Sequence, residues 1–102
     1  MNRTELRDLT WPLLLQPMSR EDVARGIAIT YAVSREEALS VVEELHGDID
    51  TCKHHIYSML TPGSPVTRDA ARLNARKAIA PISDIHFDAI WMWADYLIAK
   101  CG

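Results

Sequence analysis

Between residues 35 and 60 the side chains Ala38, Val42, Leu45, Ile49, Cys52, Ile56 and Met59 recur at alternating steps of four and three without a miss. A mean step of about 3.5 residues keeps them on one side of an α-helix along its length, the pattern of a helix lying lengthwise on another helix. A half-buried strand would need alternation at every second residue. Ser34-Arg35-Glu36-Glu37 opens this helix: the serine oxygen can take an orphan amide proton of the first turn, and the glutamate three residues on suits the positive helix end. Gly47 interrupts the pattern at about 1 kcal/mol relative to alanine, and Asp48 could cap a fresh helix there. The unbroken apolar seam favours one continuous helix, with a bend.

Pro12, Pro17, Pro62, Pro65 and Pro81 divide the rest of the chain, because proline lacks an amide donor and clashes with the preceding turn. Thr4 can cap a short helix running through Leu6 and Leu9 toward Trp11, and the proline-bracketed run Trp11-Pro12-Leu13-Leu14-Leu15-Gln16-Pro17 reads as part of an N-terminal arm, about 1–18. Ser19 caps a helix from Arg20 to about Tyr31; the β-branched residues near Ile27–Val33 would suit a strand, but no second strand exists to pair with it. Thr61 to Pro65 makes a turn. Thr67 caps an alanine-rich helix from Arg68 to about Ile79, Pro81 stops it, and Ser83 or Asp84 opens a last helix to about Lys100. The expectation is an all-α fold: a single domain over 1–102, a small bundle of four to five helices, with the long helix (about 35–60) packed against the C-terminal one (about 83–100).

A formal net charge of −3 argues against a dedicated nucleic-acid binder, which needs a basic surface. The 48% hydrophobic content is that of a chain with a core, not of a disordered one. Met1 to Arg7 is followed by no apolar signal-peptide core, and no apolar run approaches the roughly 18–20 residues that span a bilayer. Cys52 and Cys101 form no CxxC pair; they read as free thiols in a reducing compartment, with no positive support for a bond between them. A cytoplasmic location follows by elimination.

The last helix carries the most information. Phe87, Ile90, Trp91, Ala94, Leu97, Ile98 and Cys101 fall on one broad face, the width expected of a helix docked on a core. The opposite side is not polar: Ile85, Ala89, Met92, Tyr96 and Ala99 form a second seam, with Trp93 and His86 on one flank and Asp88 and Asp95 on the other. A helix apolar nearly all round must be covered on both sides. A chain of this length can hardly supply both covers, so the second seam reads as an interface rich in residue types found at contacts, most simply that of a homodimer. The competing reading is that the Leu13-Leu14-Leu15 arm covers it within one chain.

Three other constellations carry possible chemistry. His46, Asp50 and His54 stack at four-residue steps and could hold zinc or another divalent ion, but a structural site needs four ligands, and a solvated face opposite the apolar seam accounts for them. No metal and no cofactor is therefore expected. Arg68, Arg72, Arg76 and Lys77 put a basic stripe on the fourth helix, able to meet phosphates in a direct DNA-binding regulator or an acidic protein surface; a solvated face is the plainer reading. Asp88 and Asp95 could pass for paired carboxylates, yet no nucleophile elbow, phosphate-binding glycine loop or HExxH motif is present, so no enzyme is expected.

Val33-Ser34-Arg35-Glu36-Glu37-Ala38-Leu39 and Trp93-Ala94-Asp95-Tyr96-Leu97-Ile98-Ala99-Lys100 resemble the paired motifs of a family of short helical pseudomonad proteins, similar in outline to quorum-sensing anti-activators of the QslA kind. The resemblance covers about half the chain. It implies a non-enzymatic inhibitor that occludes a LuxR-type transcription factor with the apolar residues of a helical dimer. The contact residues expected under it are Trp91, Met92, Trp93, Tyr96 and Ile98, beside Ile85 of the second seam, with Leu13, Leu14 and Leu15 as an accessory arm.

Overall fold

Each α-helix among the described residues begins on a side chain that accepts an amide proton of its own first turn. Asn2 Oδ1 accepts from the Glu5 amide at 2.8 Å, Ser19 from Asp22 at 3.1 Å, Ser34 from Glu37 at 3.1 Å, Thr67 from Ala70 at 3.1 Å and Ser83 from His86 at 3.4 Å. The elements of this computed structural model are α1 (Arg3–Thr10), a 3-10 helix (Trp11–Leu15), α2 (Arg20–Tyr31), α3 (Arg35–Leu60), α4 (Arg68–Ala78) and α5 (Asp84–Cys101). It describes residues 1–79 and 81–101; the side chain of Cys101, expected on the core face of the last helix, lies outside the described residues. The described residues are all-α, as the periodicity requires, and include no strand. The first cap differs from expectation: Asn2, not Thr4, starts α1, because its carboxamide accepts from the Glu5 amide and its Nδ2 donates to the Glu5 carboxylate at 3.2 Å.

Gly47 does not break α3. The Thr51 hydroxyl donates to the Gly47 carbonyl at 2.9 Å, and the helix runs through. Two turns use left-handed backbone. Gly63 supplies φ 78° after α3, where the Ser64 amide donates to the Thr61 carbonyl at 3.0 Å. Ala32 ends α2 at φ 54° and ψ 40°, a conformation that costs an alanine what it would not cost a glycine.

The chain divides into two compact units, Met1–His46 and Gly47–Gly102. In the first, Leu6, Val23, Ala24, Ile27, Ala38, Val41, Val42 and Leu45 are buried. α1 is held by charge as much as by its one buried leucine. Arg3 and Arg7 donate to the two oxygens of Glu44 at 2.8 and 2.7 Å, and Arg3 also to the Ser40 hydroxyl at 2.8 Å. The Arg7 side chain is fully buried while Glu44 is partly open. Burial opposes ionisation of Glu44 most strongly, yet the hydrogen bonds and charges of Arg3 and Arg7 together outweigh it and hold the carboxyl below its ordinary value.

In the second unit, Ile49, Cys52 and Ile56 of α3, Ala71 and Ala75 of α4, and Phe87, Ile90, Trp91, Ala94 and Ile98 of α5 are buried with Ile79 and Ile82. The Phe87 and Trp91 rings stack at 6.4 Å. Cys52 is a free thiol; burial first, then the nearby Asp48 charge, push its pKa up to about 12. Among the described residues no helix is long and apolar enough to cross a membrane.

Candidate interaction surface on the last helix

α5 is apolar on two sides, and the protomer seals one. Phe87, Ile90, Trp91, Ala94 and Ile98 are buried, whereas Ile85 is 79% exposed, Met92 69% and Tyr96 50%. Ala99 is exposed and Ala89 half-buried along the same line. Trp93 flanks it, half-buried, its ring stacked on Tyr96 at 5.4 Å, and the Lys100 ammonium lies 5.8 Å from the centre of the Tyr96 ring. Both contacts come from α5 itself and favour this position of the tyrosine ring.

Two of the expected contact residues are corrected. Trp91 and Ile98 retain 5% and 7% exposure, so both belong to the core and not to the open side of α5. Their positions lie on the same side of the helix as Phe87 and Ala94, and geometry outweighs residue type. Leu13 and Leu14 are half-buried and Leu15 is 38% exposed on the 3-10 helix of the first unit.

The basic stripe is engaged within the second unit. Arg68 pairs with Asp95 at 3.5 Å, Arg72 with Asp88, and Arg76 with Asp84 at 3.5 Å, an antiparallel ladder between α4 and α5. Arg76 also donates to the Ile82 carbonyl at 2.7 Å, and the Arg72 and Arg76 guanidinium groups each lie 5.4 Å from the centre of the Phe87 ring. Lys77 is exposed at the end of the stripe. Asp88 and Asp95 are thus the arginines' counter-charges. Beside the ladder an open groove of about 540 Å³ is lined by Asp69, Leu73, Phe87 and the Arg72–Asp88 and Arg76–Asp84 pairs. Of the metal candidates, His46 is half-buried, Asp50 and His54 are exposed, and the His54 ring meets His55 edge-on at 5.4 Å. Among the described residues no three His, Cys, Asp or Glu side chains gather as a metal would need.

The ladder was open to sequence reasoning. Arginines at steps of four on one helix and aspartates at 84, 88 and 95 on the next suit antiparallel neighbours, yet each row read alone looks like a solvated face. The Arg3–Glu44–Arg7 cluster leaves no local signal, because Glu44 lies 41 and 37 residues along the chain from its two arginines.

No protein-family model matches this sequence, and no curated protein or solved structure does. The likeness to the anti-activator family rests on the two motif segments alone.

Proposed function

We propose that this chain is a non-enzymatic protein-interaction regulator whose contact surface is the open seam of α5. The single observation behind this reading is that Ile85, Met92 and Tyr96, large apolar side chains in helical register, face water in the protomer. Such a stripe is costly to leave open and gains about 25 cal/mol per Å² when covered, before the costs of association. The role is inhibition: covering an apolar surface of a target, a transcription factor under the motif resemblance, so that the surface cannot serve its own partner. A direct DNA-binding role is less well supported, since Arg68, Arg72 and Arg76 already spend their charge on α5.

The test compares the wild-type chain with Met92→Glu/Tyr96→Glu as bait in extracts of the source cells. A specific protein retained by the first and lost by the second is expected; equal retention by both contradicts the reading. A salt series with duplex DNA serves as the opposing arm: tight binding at low salt that weakens steeply with added salt would support a nucleic-acid binder instead.

A further inference from the structure

The open seam is self-complementary about its midpoint. We propose that, absent another partner, the α5 seam is covered by the same seam of a second copy of this chain, the two helices running antiparallel with Met92 on the two-fold axis. The inference rests on the reading of this seam as a contact surface and names its occupant.

Size carries the first part of the case. Ile85 and Ala99 lie seven residues either side of Met92, and Ala89 and Tyr96 lie three and four residues from it. Antiparallel pairing about Met92 therefore sets Ile85 against Ala99 of the second copy and Tyr96 against its Ala89. Every large side chain off the axis meets a small one, as interdigitating helices require. Parallel pairing would set Ile85 on Ile85 and Tyr96 on Tyr96, and would leave alanine facing alanine. Antiparallel helices also oppose their dipoles favourably.

Area carries the second. Ile85, Met92 and Tyr96 are 79%, 69% and 50% exposed, which for side chains of roughly 200 Å² leaves on the order of 400 Å² open per protomer, with Ala89, Trp93 and Ala99 adding the rim. A symmetric pair therefore covers at most about 1,000 Å², the size of a weak, exchanging interface and not of a permanent one. It would be almost wholly apolar, as homodimer contacts tend to be.

Charge carries the third. The seam's α4 flank bears Asp84, Asp88 and Asp95, and antiparallel pairing about Met92 brings Asp88 level with Asp95 of the second copy and Asp84 level with its Lys100. Arg76, Arg72 and Arg68 already pair with them one by one. The flank therefore arrives neutralised, and two copies approach without like-charge repulsion.

The test is the mass of the full chain in solution together with cysteine cross-linking. The mass should rise from one protomer to two with a dissociation constant of roughly 1–100 μM, in keeping with a small interface. In a Cys101→Ser background, Met92→Cys should form a covalent dimer on mild oxidation. Ile85→Cys should not link to itself but should link to an Ala99→Cys chain mixed with it. Met92→Glu/Tyr96→Glu should weaken self-association by at least about 30-fold with helix content unchanged. A protomer mass throughout the range, a dimer that survives both glutamates, or Ile85→Cys linking to itself in preference to Met92→Cys would each overturn the proposal. A protomeric chain that still loses its target with the two glutamates would sink the self-pairing alone. A dimer lost on the same change with target capture intact would sink only the regulatory reading.

Discussion

Ala32 closes α2 in the left-handed region, φ 54°, with its side chain in water. A Cβ there strains the backbone at no gain in packing. Ala32→Gly should raise stability by about 0.5–1 kcal/mol in urea unfolding, the relief of strain exceeding the extra freedom glycine gives the unfolded chain. A loss of stability would show that the helix ends otherwise. Cys52 makes a chemical prediction. With its thiol pushed up to about 12, it should resist iodoacetamide at pH 8 in a folded Cys101→Ser chain and react once denaturant is added. The linkage has a definite sign. The unfolded thiol ionises near pH 9 while the folded one stays protonated, so stability should fall as pH climbs from about 9 toward 12.

At the scale of elements, α1 depends on Glu44. Its carboxyl is held below the ordinary 4.5 in the folded chain, so the stabilisation is fully present above that value and is lost as pH falls through the lower folded one. Glu44→Gln should flatten this acid limb and cost about 1–2 kcal/mol at neutral pH, a figure discounted for the partial exposure of the carboxylate. Amide exchange in α1 should accelerate more than in α5; equal effects on both would argue against local anchoring. The elements themselves were legible. Ser19, Ser34, Thr67 and Ser83 mark helix starts by local chemistry that needs no tertiary knowledge, and the seam from Ala38 to Ile56 carries α3 through Gly47. Asn2 and Thr4 can both cap, and choosing between them takes the backbone. The arginine–aspartate ladder and the Arg3–Glu44–Arg7 cluster are tertiary: each depends on which helices meet, a fact no single segment contains.

For the molecule as a whole, the decisive property is the unequal fate of the two sides of α5. The helical pattern separates Ile85, Met92 and Tyr96 from Phe87, Ile90 and Ala94, and the protomer keeps that separation. Trp91 and Ile98 fall on the sealed side, where tryptophan's frequency at contacts is a poorer guide than its angle on the helix. The most direct test is urea unfolding of Met92→Glu/Tyr96→Glu beside Ile98→Glu, at concentrations where one protomer prevails. The account predicts that the double variant stays within about 1 kcal/mol of wild type, as surface changes do, while the single core charge costs more than about 3 kcal/mol or abolishes folding. A double variant as damaged as Ile98→Glu would mean that the protomer itself seals both sides of α5, and the contact surface would not exist.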